Sequence, residues 1–122
     1  MQNPISDFSK ETHDYVAGLL EQRYEHAVEL QLADIEVQLN PLEEKLTLCP
    51  ALFWAERNAN FVVYKVGENA FRTQFFYSPD EQFGTGIDEF DDLEKCVNTV
   101  LQVQADQERI TILRSTTATE FS

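Results

Sequence analysis

The chain has 122 residues, of which 43% are hydrophobic, and its 22 acidic and 9 basic residues give a net charge of -13 at pH 7. This length and apolar content predict one folded domain and disfavour intrinsic disorder. The charge disfavours nucleic acid and anionic membrane surfaces as partners, because proteins bind both through Lys and Arg. It favours a basic protein partner or a cation, although an acidic excess can also serve solubility alone.

Three further features bear on the compartment. No stretch approaches the roughly 20 apolar residues that span a bilayer. The first residues lack the basic and apolar regions of a secretory signal, so we expect a cytoplasmic protein. The two cysteines, Cys49 and Cys96, lack redox or zinc spacing, which predicts buried and reduced thiols.

The first half of the chain changes its hydrophobic period. Apolar residues at steps of three and four predict an amphipathic helix from Pro4 to about Glu25. Alternation then predicts strands over residues 28–32 and 35–39. The apolar phase shifts by one residue at Ala33 and Asp34, which predicts a bulge or tight turn there.

Further strands are predicted after Asn40-Pro41. Residues 46–49 and 51–55 lead into two hairpin-linked strands, 61–66 and 71–77. The first of these is a continuous apolar run, which is typical of a central strand that is covered on both faces. The segment 84–86 is predicted to be a loop.

The last predicted elements are a helix, a short strand and a tail. The helix spans about residues 88–108, and its acidic first turn favours the positive end of the helix dipole. Residues 110–113 are predicted as a strand and 115–122 as a flexible tail. The apolar stripe of the helix consists of Phe90, Leu93, Cys96, Val97, Val100 and Leu101.

The order of elements predicts the α+β class: an antiparallel sheet of about five strands with an N-terminal and a C-terminal helix packed on it. The whole forms a single acidic domain over residues 1–114. This order, together with a pI near 4.3, resembles that of small acidic secretion chaperones. The resemblance implies an α+β fold and a chaperone-like binding role.

The segment 79–94 contains seven acidic residues and no Lys, Arg or His. If it bound calcium, the first ligands to consider would be Asp80, Glu81, Asp88 and Asp91. The segment lacks the spacing of an EF-hand loop, so we expect calcium to bind only weakly and without specificity. A cation-binding or buffering protein is therefore the second functional hypothesis, and no metal or cofactor is assigned.

Catalytic motifs are not evident in the sequence. Nucleophilic catalysis needs a base beside a cysteine or serine, and neither His13 nor His26 belongs to a recognisable triad. The sequence therefore predicts no catalytic residues. A small enzyme with an unrecognised site is the third hypothesis.

Consecutive aromatic residues in strands carry the preferred hypothesis, because neighbours in a strand point to opposite faces of a sheet. One face then needs a cover, which is either a helix or a partner. We predict a non-catalytic interaction module, an adaptor, chaperone or inhibitor, that binds a basic or amphipathic protein segment. A homodimer is also compatible with the sequence. The predicted partner-binding residues are Trp54, Phe76, Tyr77, Asp80 and Glu81.

Overall fold

Five antiparallel strands follow one another across one sheet in chain order, between two helices. The computed structural model describes residues 5–120, with side chains described for residues 5–113. The predicted α+β class and the two terminal helices are confirmed. The elements are α1 (Lys10–Tyr24), β1 (Gln31–Val37), β2 (Thr47–Glu56), β3 (Ala59–Gly67), β4 (Ala70–Ser78), β5 (Glu81–Gly84) and α2 (Leu93–Glu120).

Short hairpins fix this strand order. The turn between β2 and β3 consists of Arg57 and Asn58, with φ values of 54° and 64°. Two successive residues in the left-handed region match the twist of antiparallel strands. The two-residue connections after β3 and β4 are equally short, so β2, β3 and β4 each pair with the next strand in the chain.

Both helices begin later than the sequence predicts, because polar side chains cap them at defined positions. The hydroxyl of Ser9 accepts a hydrogen bond from the Thr12 amide at 3.1 Å, which starts α1 at residue 10. The Asp92 carboxylate accepts hydrogen bonds from the amides of Glu94 and Lys95 at the start of α2. The predicted start at residue 88 is therefore wrong, and Phe90 pairs with Phe71 of β4 outside the helix.

The predicted bulge in β1 is also wrong. Residues 31–37 form one regular strand that pairs with β2 over its whole length. Leu32 lies on the side of the sheet that faces the helices, whereas Ile35 and Val37 lie on the other side. The phase shift thus marks a change of side, because apolar residues occupy both faces of this sheet.

Other strand boundaries differ from the prediction for equally local reasons. Residues 47–49 and 51–55 belong to a single strand that runs through Pro50, and β2 pairs with β3 only from Ala51 onward. The short β5 was missed because its four residues carry little strand signal. Residues 110–113, predicted as a strand, continue α2.

The predicted C-terminal tail is described in part. Residues 115–120 also continue the backbone of α2, and 121–122 lie outside the described residues. The flexibility that we expected there stays a prediction.

The hydrophobic core lies on one side of the sheet, which we call the helix side. α2 packs across β3 and β4 there. Stacked or tilted rings of Trp54, Phe61, Phe75 and Phe83 cross β2, β3, β4 and β5 in turn, with successive centroids 5.0, 5.9 and 5.2 Å apart. Phe61 and Phe75 are fully buried. β3 is central as predicted, but α1 and α2 cover only one of its faces.

The buried stripe of α2 can be tested at Leu101, which is 4% exposed. Replacing a buried leucine by alanine removes apolar contacts and leaves a cavity, so Leu101→Ala should lower the free energy of unfolding by roughly 2 to 5 kcal/mol. Ile112→Ala, at a 56% exposed position of the same helix, is the control and should change it by less than about 0.5 kcal/mol. Urea denaturation gives both values; equal effects would mean that Leu101 is not in the core.

Candidate functional site

The structure does not bring the five predicted partner-binding residues together. Trp54 and Tyr77 lie on the helix side, where Trp54 is 3% exposed and Tyr77 packs on Phe75 and Phe83. Phe76 points to the opposite side of the sheet and is half-buried. Asp80 and Glu81 are exposed at the β4–β5 hairpin. Trp54 therefore belongs to the core rather than to an accessible surface, whereas Tyr77 is half-buried and packs against the core, so its role as a partner contact stays a prediction.

The carboxylates proposed as calcium ligands are likewise dispersed. Asp80 and Glu81 lie at the hairpin, and Asp88 and Asp91 lie in the segment before α2. Among the described residues, no group of three or more His, Cys, Asp or Glu side chains is placed to hold a metal ion. Specific calcium binding thus has no geometric support in this part of the chain.

The two thiols are buried, and the two histidines lie close to polar groups. Both thiols are buried; burial raises the pKa of Cys49 and raises that of Cys96 to about 12. His13 Nε2 lies 2.8 Å from the Leu30 carbonyl oxygen, and His26 Nε2 lies 3.3 Å from Glu56 Oε1. Thiols with raised pKa values are poor nucleophiles at neutral pH, because the thiolate is the reactive form.

A cleft of about 640 Å³ lies between the end of α1, the β2–β3 turn and the second half of α2. Some of the charges that line it are paired. Arg57 Nη2 lies 2.6 Å from Glu108 Oε1, and this guanidinium lowers the pKa of the Glu108 carboxyl group. Arg109 pairs with Asp106. Arg23 and Glu25 also line the cleft, outside these pairs, and because they carry opposite charges they favour no one class of charged ligand.

The side of the sheet away from the helices forms a second candidate surface, which we call the open face. Phe53, Tyr64 and Phe76 are half-buried on it, while Cys49 and Ala51 are fully buried between larger neighbours. Following the strand register, the face consists of Gln31, Ala33, Ile35, Val37, Thr47, Cys49, Ala51, Phe53, Ala55, Asn60, Val62, Tyr64, Arg72, Gln74, Phe76, Gln82 and Gly84. None of these strand residues is acidic, although Glu29, just before β1, lines a shallow pocket with Gln31, Phe53 and Asn60 at the border of the face.

A third candidate surface follows β1, which is the outermost strand on one side of the sheet. We call it the edge surface and define it by Leu32, Asp34, Glu36, Leu46 and Leu48. Cross-strand pairing places Leu32, Asp34, Glu36 and Leu48 on the helix side, beyond the cover of the helices. The three leucines are 44% to 52% exposed, and both carboxylates are exposed.

The edge surface was not part of the predicted site. Its signal in the sequence is the alternation of Asp34 and Glu36 with Ile35 and Val37 in β1, which we interpreted only as a half-buried strand. The pattern alone does not show that β1 ends the sheet, because strand order depends on tertiary pairing. Position at the edge is what turns this alternation into a candidate site.

Comparison with known proteins gives no functional assignment. The chain matches no protein-family model, no curated protein and no solved structure at a significant level. Within residues 5–120, neither helix is long and apolar enough to cross a membrane. The functional interpretation of the candidate surfaces therefore depends on the geometry of this structure alone.

Burial of the thiols has a measurable consequence. In the folded protein, Cys49 and Cys96 should react with a thiol reagent at pH 8 at least tenfold more slowly than in denaturant, since burial restricts access and raises both pKa values. Absorbance of the released chromophore measures the rates. Rapid reaction of either native thiol, at the rate of the unfolded chain, would contradict the described burial.

Proposed function

We propose that the protein is a non-catalytic interaction module, an adaptor, chaperone or inhibitor, that binds a basic, amphipathic protein segment along the edge surface. One observation carries the proposal: β1 is a regular seven-residue strand whose outer edge has no partner strand among the described residues. The exposed side chains on its helix side combine leucines with carboxylates. Each property supplies one part of the binding.

The backbone of β1 supplies the first part. An edge strand presents unpaired N–H and C=O groups, and proteins commonly protect such edges with charged side chains, Pro or bulges. β1 contains no Pro and no bulge, and its pairing with β2 is uninterrupted from Gln31 to Val37. Its charged residues, Asp34 and Glu36, oppose pairing with an acidic strand but favour a basic one. The opposite edge strand, β5, has only four residues. β1 is therefore the better acceptor for an added strand.

The side chains supply the selectivity. Leu32, Asp34 and Glu36 follow one another on the helix side of β1, and Leu48 lies directly across from Glu36. A segment added beside β1 would place its own alternate side chains next to these groups. Apolar residues near the leucines and basic residues near the carboxylates give favourable pairs, each contributing roughly 0.2 to 1 kcal/mol.

Long-range electrostatics favour the same partner. Residues 27–46, which contain β1, include five acidic residues and a single Lys. This local excess is part of the net charge of -13, and it concentrates negative charge near β1, so a basic segment is attracted there before contact. The open face, in contrast, has no acidic strand residue, and only Glu29 and Glu89 lie at its border, where Glu89 already pairs with Arg72.

A peptide that alternates Lys with Val over ten residues is a direct probe. It should bind the wild-type protein with an affinity that falls as salt is raised, measured by fluorescence anisotropy. A matched peptide with Glu in place of Lys should not bind. The Lys peptide N-methylated at alternate residues should bind more weakly, because it cannot form the strand hydrogen bonds.

Two charge-reversal variants locate the site. Asp34→Lys combined with Glu36→Lys should weaken binding of the Lys peptide about tenfold, since two attractive pairs become repulsive. Asp80→Lys combined with Glu81→Lys makes the same change in net charge at the other end of the sheet and should have a smaller effect. Equal losses would reduce the interaction to net charge, and a larger loss at the hairpin would move the site there and refute the assignment to β1.

A further inference from the structure

We infer that the open face is the interface of a symmetric dimer, with a second copy of this chain as its occupant. The inference does not rest on the peptide site, because it is argued from the side chains of the open face and not from those of the edge surface. The first observation is that one side of the sheet has no covering element. The helices cover one side, while Phe53, Tyr64 and Phe76 stay half-buried on the other without an element of the described residues over them.

Charge distribution selects a copy of the chain over a basic partner. Two molecules that each carry a net charge of -13 repel each other, and the repulsion is smallest where the approaching surfaces are neutral. No strand residue of the open face is acidic, and the two carboxylates at its border are those of Glu29, beside Gln31, and of Glu89, beside Arg72. Its one charged residue, Arg72, has its Nε 3.7 Å from Glu89 Oε1, so the face is close to neutral.

The polar side chains of the open face can form hydrogen bonds with the same set of side chains on a second copy. A two-fold interface joins the same patch on both subunits, so each polar group must find partners within a copy of that patch. Amide and hydroxyl side chains both donate and accept hydrogen bonds, whereas carboxylates accept only. Besides Arg72, the polar residues of the open face are Gln31, Thr47, Asn60, Tyr64, Gln74 and Gln82.

The size of the face is compatible with a specific dimer. Five strands spaced about 4.8 Å apart, each of several residues at about 3.3 Å, give a face of roughly 600 Å². Two such faces bury roughly 1,200 Å², which is at the lower end of specific protein interfaces. Face-to-face sheets pack about 10 Å apart, close enough for the three aromatic rings to interdigitate. We therefore expect a dimer that dissociates on dilution.

Sedimentation velocity between about 1 and 100 μM tests the inference on the full chain. The wild-type protein should shift with concentration toward twice the chain mass of 14.1 kDa. Gln74→Glu adds a carboxylate to the open face with little change of shape, and should raise the dimer dissociation constant at least about tenfold because the charge must be desolvated. Gln22→Glu, on the exposed surface of α1, is the matched control and should leave the dimer unchanged.

A second pair of variants removes an aromatic contact. Phe53→Glu should yield a monomer, whereas Leu42→Glu, at a 93% exposed position outside the face, should not. Circular dichroism and the fluorescence of the buried Trp54 establish that each variant is folded. A wild-type protein that stays monomeric at 100 μM would overturn the inference. So would a dimer equally tolerant of Gln74→Glu and Gln22→Glu, because its interface would then lie elsewhere.

Discussion

The aromatic row on the helix side, from Trp54 through Phe61 and Phe75 to Phe83, is the interaction on which the other features depend. It joins β2, β3, β4 and β5 with ring centroids 5.0 to 5.9 Å apart and provides the apolar surface under the helices. Because the described chain has only two helices, they can cover one side of a five-stranded sheet. The one-sided core leaves two surfaces without a cover, the open face and the outer edge of β1.

Charge separates these two surfaces. The edge surface combines leucines with Asp34 and Glu36, whereas the strand residues of the open face include no acidic residue and Glu29 lies only at its border. A basic segment gains attraction only at the first, and a second acidic chain approaches with least repulsion at the second. Two interactions can therefore coexist on one small domain, one with another protein and one between copies of the chain.

The sequence predicts the helices and strands better than it predicts which face of the sheet the helices cover. The helical spacing of Val97, Val100 and Leu101 placed the buried stripe of α2 correctly, because one helix face is enough to define it. Alternation in β4 correctly put Phe75 and Phe76 on opposite faces of the sheet. Alternation cannot show which face the helices will cover, since that choice depends on packing between distant segments.

This limit explains why Trp54 was assigned to the wrong surface. Trp54 was predicted as a contact for a partner, yet it shares the helix side with Phe61 and is 3% exposed. The supposed bulge in β1 has the same origin, because its apolar residues change side within a regular strand. Strand order was equally inaccessible, so the exposed edge of β1 became a candidate site only from the fold.

The central claim is that the helices cover one side of the sheet and that the other side is available for association. Hydroxyl-radical footprinting at several protein concentrations measures this ring by ring. The account predicts that Phe53, Tyr64 and Phe76 are oxidised in dilute protein and become protected as the concentration rises, while Phe61 and Phe75 stay protected throughout. Oxidation of Phe61 or Phe75 in the folded protein, or a constant pattern at Phe53 and Phe76 at all concentrations, would contradict it.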